Sequence, residues 1–375
     1  MRYYENIKIL QQLKSGAANS SLLAQYSGWG GLRKAIYTPE VYKQLKSILT
    51  DEEINSIKTT MSSAYYTPEY IVNFICSALA KMGVTGGRVL EPAAGIGAFL
   101  SDLKMLEPSE VVAVEIDNIS CDILKKLHPN VKVVKSAFEK TTLGKFNLIC
   151  GNPPFGREVI TDKADPDLSG MVIHHWFAAK CVRMLSDGGI LAMVLPSYFM
   201  DNVKDHARDI ITRDGGNLLA AFRLPDDLFA DAKVTVDIVF IVKGRTANNW
   251  QKTEHIRVNG CLMPINEYYM KNKNHILGRL KVIDMYSRKG LTCARTGNIQ
   301  TALSTLLDSI PNRNTHGTIR PHAQCVSNAH KLEERIATVR SKIGLLQKEL
   351  GDLLDIKNNV DRLQTQINTM LAQGS

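Results

Sequence analysis

The segment Gly151-Asn152-Pro153-Pro154-Phe155-Gly156 places an amide, two prolines and an aromatic ring at the end of a short apolar run, Phe146-Asn147-Leu148-Ile149-Cys150. The run reads as a buried strand. The prolines fix φ and remove two backbone donors, so the loop is stiff and its carbonyls face outward. The Asn152 side chain adds an acceptor beside them, and Phe155 adds a flat face. Two acceptors and a ring can hold a planar base that bears an exocyclic amine. Methylation of that amine is the chemistry such a site suits. A plain turn is the competing reading, since Asn-Pro pairs mark turns.

Upstream residues argue against a plain turn. Val89-Leu90-Glu91-Pro92-Ala93-Ala94-Gly95-Ile96-Gly97 runs from a strand through a turn and into a helical pattern. Gly95 and Gly97 let backbone approach a ligand closely. The third glycine of a dinucleotide fingerprint is missing. One strand later comes the run Val111 to Asp117, with Glu115 and Ile116 at the strand's end. A carboxylate closing the second strand of a doubly wound sheet is placed to accept ribose hydroxyls; a solvated loop acid is the alternative. Before the glycine turn, Tyr65-Tyr66-Thr67-Pro68 precedes an apolar-periodic segment. Thr67 suits an N-cap and Pro68 a first helical position.

The glycine turn resembles the first motif of methyltransferases that use S-adenosylmethionine. Tyr66, Thr67 and Pro68 resemble the Tyr-Thr-Pro motif that packs over the methionine end of that cofactor in adenine DNA methyltransferases. The order of Tyr-Thr-Pro, glycine turn, strand-end acid and Asn-Pro-Pro-Phe is similar to that of N6-adenine DNA methyltransferases. A wider resemblance rests on Ser27-Gly28-Trp29-Gly30-Gly31-Leu32, Gly87 to Pro92, Gly151 to Gly156, His174-His175-Trp176-Phe177, Arg223-Leu224-Pro225 and Val236 to Phe240. These resemble the methyltransferase region of the large phage and plasmid methylase-helicase proteins of the DarB antirestriction group, over residues 20–245. Many of that group carry Asn-Val-Pro-Phe, whereas this chain has the full Asn-Pro-Pro-Phe of active enzymes. The chain also ends near where a helicase would begin.

The resemblance implies S-adenosylmethionine as cofactor, held by Tyr66, Thr67, Pro68, Glu91, Pro92, Ala93, Gly95, Gly97, Glu115, Ile116, Phe138 and Asn152. It implies Asn152, Pro153, Pro154 and Phe155 as the catalytic set, acting on the N6 amine of an adenine flipped out of double-stranded DNA. Phe138 would stack on the cofactor's adenine. No acid stands where many relatives place one beside that aromatic, so the cofactor's amine would fall to a backbone group or to Glu139. Asn-Pro-Pro-aromatic motifs also occur in enzymes that methylate release-factor glutamine or purine amines of ribosomal RNA. A non-catalytic DNA-binding antirestriction protein that keeps the fold is the reading from another class.

The elements that must position these residues are legible as well. Residues 61–244 alternate helical and strand patterns, which implies a parallel sheet. Strands are expected near 87–91, 111–115, 131–134, 146–150, 190–195, 218–222 and 236–242, the last two as an antiparallel hairpin by family analogy. A helix over 172–185 should stop at Ser186-Asp187-Gly188-Gly189. His174 and His175 open that helix, where one ring could satisfy a cap. The expected fold class is α/β, a doubly wound methyltransferase sheet with a basic accessory region and a C-terminal coiled-coil helix. Its expected divisions are a helical segment 1–60, a catalytic domain 61–244, a DNA-binding region 245–330 and a coiled-coil helix 331–375. In the helical segment Trp29 reads as core.

Composition narrows the function class. The 375 residues, 44% of them hydrophobic, support a substantial core. No run of 18 apolar residues occurs, so no membrane helix is expected. The N-terminus lacks the apolar core of a signal peptide. Seven cysteines show no CxxC pair or His/Cys ligand spacing, which suits a reduced, cytoplasmic protein without a metal site. The net charge of +9 is unevenly spread: residues 1–244 hold 27 Lys/Arg and 27 Asp/Glu, whereas residues 245–330 hold 12 against 4. A basic region beside a neutral catalytic domain suits a polyanion. Tyr268, Tyr269 and Tyr286 lie among those cations, a mix suited to phosphates and unstacked bases. Residues 311–321 read as a linker. Leu332, Ile336, Val339, Ile343, Leu346, Leu350 and Leu353 alternate spacings of four and three, a heptad that suits a homodimer or a partner coiled coil.

Overall fold

In this computed structural model the residues described are 2–61, 65–229, 233–244, 250, 252–285 and 288–310. The heptad of 332–353, the linker and Tyr286 lie outside them. The described residues all fall within one compact unit.

Apolar runs bounded by turn residues set the sheet. Its strands are β1 (Arg88–Pro92), β2 (Glu110–Glu115), β3 (Lys132–Lys135), β4 (Phe146–Gly151), β5 (Leu185–Pro196), β6 (Gly216–Arg223) and β7 (Val236–Lys243). They lie in the order β3-β2-β1-β4-β5-β7-β6. β1 to β5 pair in parallel. β7 runs antiparallel to both β5 and β6. Parallel strands need crossover helices, whereas β7 can follow β6 through a direct connection.

Neighbouring residues of a strand serve opposite faces. Val89, Leu148 and Ala192 join a core with Ile71, Phe74 and Ile75 of a helix over Glu69–Lys81. Leu90, Ile149 and Leu191 join a second core with Trp176, Phe177 and Val182 of a helix over Ile173–Met184. Both faces are thereby covered, as parallel sheets require.

The helices of chain order are α1 (Arg2–Lys14), α2 (Ser20–Leu23), α3 (Arg33–Ile36), α4 (Pro39–Ile48), α5 (Asp51–Thr60), α6 (Glu69–Lys81), α7 (Leu100–Leu103), α8 (Asn118–Leu127), α9 (Ile173–Met184), α10 (Tyr198–Asp201) and α11 (His206–Arg213). The first five build a third core in which Trp29 is buried, and it takes in Ile96, Ile119 and Ile123 from the sheet domain. α5 opens with a capping box between Thr50 and Glu53.

Two local expectations are corrected. The helix after Pro68 starts at Glu69, with Pro68 itself at the cap and no side-chain cap bond; its carbonyl accepts from Ile71 and Val72 N–H, so Thr67 is left free of capping. Ser186 to Gly189 do not leave the sheet. They belong to β5, where pairing jumps from Phe146–Leu185 to Leu148–Ile190. The extra residues form a bulge, with Gly188 at φ +75°, a conformation glycine adopts without strain.

The region after β7 is built of two hairpins, β8 (Thr253–Val258) with β9 (Cys261–Asn266) and β10 (Arg279–Met285) with β11 (Arg288–Ala294). Short helices α12 (Glu267–Lys271) and α13 (Ile299–Leu306) accompany them. A buried ionic junction fixes this region to the sheet. Arg223 pairs with Asp237 of β7 at 2.9 Å and with Asp201 of α10 at 2.7 Å. The ring of Tyr269 lies over its guanidinium at 4.4 Å. Asn266 donates to the carbonyls of Met200 and Trp250, and its own N–H donates to Asp201. Among the described residues no helix is long and apolar enough to cross a membrane.

Candidate active site

The order β3-β2-β1-β4-β5 reverses direction between β1 and β4. Ligands of such sheets bind outside the carboxyl ends of the strands at that point. A cavity of about 280 Å³ lies there, close to the roughly 300 Å³ lower end of small-molecule sites.

β1 ends in a tight turn. Ala93 stands at φ +57°, Gly95 at +57° and Gly97 at +84°. The two glycines serve different purposes. A Cβ on Gly95 would lie 2.3 Å from the Tyr66 ring, whereas one on Gly97 would meet Leu100 at 2.6 Å and His128 at 2.9 Å. Gly95 lets the cavity wall close, and Gly97 lets the turn pack.

Two carboxyl groups face this turn. Glu91 is 2% exposed, lines the cavity, and its Oε2 has no partner. Burial, with Glu115 nearby, pushes its carboxyl well above the usual range. Glu115 lines the same cavity. Its Oε2 accepts from Gly95 N–H at 2.7 Å, and its Oε1 from Ile116 and Asp117 N–H at 2.9 and 2.7 Å. Burial outweighs these bonds and raises the carboxyl to about 7. Asp117 caps α8 by accepting from the Ser120 N–H and hydroxyl.

From β4, Asn152 reaches the same cavity. Its Nδ2 donates to the Tyr65 carbonyl at 3.0 Å, and its Oδ1 is buried without a partner. The donated bond fixes which end of the amide is free. Pro154 lines the cavity beside it, while Pro153 is buried behind. Phe155 stands half-buried, edge-on to Phe229 at 6.1 Å and to His174 at 6.4 Å.

The cavity therefore gathers Tyr66, Thr67, Glu91, Ala93, Gly95, Glu115, Ile116, Asn152 and Pro154 from the sequence-derived set. Pro68, Pro92, Gly97, Phe138, Pro153 and Phe155 do not line it. Phe138 is 4% exposed and stacks on Phe177 at 5.2 Å. Sequence reasoning missed Thr59 and Thr60 of α5, and Glu158 and Ile173, all of which line the cavity. Glu158 gave a weak signal, because the residues between Phe155 and α9 show no periodic pattern.

An ionic hub folds that connection. Asp162 Oδ2 accepts from Lys180 Nζ at 2.9 Å and Trp176 Nε1 at 3.1 Å. Its Oδ1 accepts from Ala164 and Asp165 N–H. Arg183 then binds Asp165 and Asp167. The Ile173 N–H donates to the Glu158 carbonyl at 2.8 Å, which holds both residues at the cavity. His174 and His175 cap nothing; both are buried in α9. Burial pushes His174 down to about 3 and lowers His175 as well; His174 Nδ1 meets the Tyr198 hydroxyl at 3.4 Å and His175 Nδ1 meets Asp205 at 3.3 Å.

The chain is similar to known proteins over part of its length. Residues 101–215 match the family model of the Eco57I restriction-modification methylases. The chain is 31% identical over 208 residues to the Type II methyltransferase M.CvrRI of Paramecium bursaria Chlorella virus XZ-6E, a match covering 54% of this chain and 53% of that protein. It is 25% identical over 199 residues to the Type II methyltransferase M.HincII of Haemophilus influenzae, covering 49% and 38%. The chain spans about half the length, or less, of these curated relatives. A solved S-adenosylmethionine-dependent methyltransferase from Clostridium acetobutylicum ATCC 824 aligns with 52% of this chain and 99% of its own at a TM-score of 0.37 and 11% identity.

Proposed function

We propose that this protein is a DNA methyltransferase that transfers a methyl group from S-adenosylmethionine to the N6 amine of adenine. The observation that carries the reading is the buried, unpartnered Oδ1 of Asn152 in the cavity that holds Glu91 and Glu115. An orphaned buried acceptor costs about 1–3 kcal/mol unless a ligand satisfies it, so its place in the cavity points to a hydrogen-bond donor there. The Type II methyltransferase names of the relatives support DNA as the substrate class.

The residues fit the cofactor. Glu115 would accept the ribose hydroxyls, Glu91 would offer its unpartnered Oε2 to a cationic group, and Gly95 and Tyr66 close the wall between them. When bound, S-adenosylmethionine supplies a methyl group activated by its sulfonium. The chain's own residues act on the amine. Its lone pair is delocalised into the purine ring, which makes it a poor nucleophile. Asn152 Oδ1 and the Pro153 carbonyl would each accept one N–H, drawing the nitrogen toward a tetrahedral arrangement and freeing the lone pair. Positioning supplies most of the acceleration. Phe155 would hold the base by its face. In a duplex the base must first leave the stack. Exposed Arg279, Lys281 and Arg288 on the β10–β11 hairpin are placed to take phosphates. The DarB-like resemblance adds an antirestriction role to this reading.

The test is incubation with S-adenosylmethionine and unmethylated genomic DNA, followed by nucleoside mass spectrometry. N6-methyladenine is expected. N4-methylcytosine would overturn the choice of base. Transfer to ribosomal RNA or a release factor, with none to DNA, would overturn the substrate class.

A further inference from the structure

We propose that the N-terminal helical segment is a working part of the cofactor site: α5 supplies Thr59 and Thr60 to the cavity wall and, through Ser56, holds the turn that presents Glu115. The inference rests on the cofactor reading above and assigns a role to residues that carry no motif.

A single hydroxyl makes the connection. Ser56 Oγ donates to Asp117 Oδ1 at 2.7 Å and accepts from Asn118 N–H at 3.0 Å. Asp117 in turn donates its N–H to Glu115 Oε1 at 2.7 Å. The path from α5 to the Glu115 carboxylate is therefore two residues long, across 61 positions of sequence. A second bond from Asn118 Nδ2 to Glu52 runs parallel to it. Apolar packing backs these bonds, since Ile54 and Ile57 of α5 share a core with Ile96 of the glycine turn and Ile119 and Ile123 of α8.

The same segment touches the cavity at a second place. A Cβ on Gly28 would lie 3.0 Å from the Tyr66 ring, so the Gly28 turn presses on the ring that closes over Gly95. Asn6 fixes that turn by donating to the Gly28 carbonyl at 2.6 Å and accepting from Ser27 N–H at 3.2 Å. The Tyr66 hydroxyl reaches Ser120 at 3.3 Å, on the same α8 turn that Ser56 grips. The helical segment thus holds both the ribose side and the aromatic wall. Ser56 is a positioning residue in this scheme, and Thr59 is a wall residue.

The test is calorimetric binding of S-adenosylhomocysteine and of its 2′-deoxyribose analogue to the full chain. Wild type should bind the ribose form more tightly. Ser56→Ala should weaken the ribose form about tenfold, the scale of a lost hydrogen bond to a charged group, and should reduce the preference over the deoxy analogue. Ser56→Thr, which keeps the hydroxyl, should restore both. Ala is favoured within a helix, so the variant keeps its fold. Thr59→Trp, at an exposed position, should narrow the cavity and weaken both ligands alike. No binding of either ligand to wild type would overturn the cofactor reading together with this inference. Binding by wild type that Ser56→Ala leaves unchanged, or weakens equally for both ligands, overturns the inference alone, as does Thr59→Trp without effect.

Discussion

Replacing Asn152 with Ala removes one acceptor from the cavity and one donor from the Tyr65 carbonyl. The two losses have different sizes and fall on different measurements. A single preorganised hydrogen-bonding group at a reacting centre is worth about 10²–10³ in kcat, or roughly 2.7–4 kcal/mol. The Nδ2 bond contributes roughly 0.5–1.5 kcal/mol to stability, and removing the orphaned Oδ1 relieves a cost of similar size. Unfolding should therefore shift by less than about 1 kcal/mol. Glu91, Glu115 and Gly95 remain in place, so S-adenosylhomocysteine should bind within about threefold of wild type. Asn152→Asp keeps the shape and the acceptor but sets a carboxylate oxygen against the Tyr65 carbonyl, and its rate should fall between the two. The assay is transfer of a radiolabelled methyl group to unmethylated DNA under saturating cofactor, with binding measured in parallel. If Asn152→Ala retains kcat within about fivefold, less than 1 kcal/mol, the amine is not held by this side chain. If affinity for S-adenosylhomocysteine collapses while kcat at saturation survives, Asn152 belongs to the cofactor instead.

Cofactor affinity should depend on pH through Glu115. Burial raises its folded-state value to about 7 from an ordinary 4.5. The ligand-free protein should thus lose stability as pH rises from 4.5 to 7, because the folded state keeps a proton that the unfolded chain has released. Ribose hydroxyls favour the carboxylate, so binding should be tightest above pH 7 and weaken up to about tenfold per unit below it. Calorimetry in two buffers of different ionisation enthalpy should show proton release on binding, and an affinity that rises on acidification would contradict this. Gly95→Ala should cost about 1–2 kcal/mol for its left-handed backbone and displace Tyr66, weakening S-adenosylhomocysteine at least tenfold, whereas Gly97→Ala should act mainly on the melting temperature. Arg223→Met strands Asp201 and Asp237 as buried, unpaired acids and should lower stability by about 3–5 kcal/mol. Adding Asp201→Asn and Asp237→Asn should recover part of that loss; an unchanged urea midpoint for the single variant would show that the junction is not structural.

Much of the sheet was readable because its strands are continuous apolar runs. Leu148-Ile149-Cys150 and Ile238-Val239-Phe240-Ile241 are buried on both sides, and a strand in that position needs no polar face. Asn152 and Glu115 stood out as polar groups at the ends of such runs, and Glu91 entered through the resemblance; all three line one cavity. The bulge at Ser186 to Gly189 was not, since a Gly-Gly pair reads as a stop whether the chain then turns or continues. Thr59, Thr60 and Ser56 lie on a helix whose own period accounts for them, and only the tertiary approach of α8 shows what they face. Asp162, Lys180 and Arg183 look like ordinary solvated charges. Their hub depends on a connection folding back upon α9, with no periodic signal to announce it. The resemblance implied Phe138 as a stacking ring for the cofactor, but Trp176 and Phe177 engage it in the core.

The Arg223 junction bears on how this chain can diversify. One guanidinium answers to acids on α10 and β7 and to an aromatic ring on α12. Asn266 spans the same seam with two hydrogen bonds, to Asp201 and to the Met200 carbonyl. A crossover that takes Arg223 from one parent and residues 250–275 from another keeps Asp201 and Asp237 beside the guanidinium but replaces Tyr269 and Asn266, which close the junction. Change in what the hairpins contact should accumulate as single substitutions on their exposed faces, with the seam inherited intact.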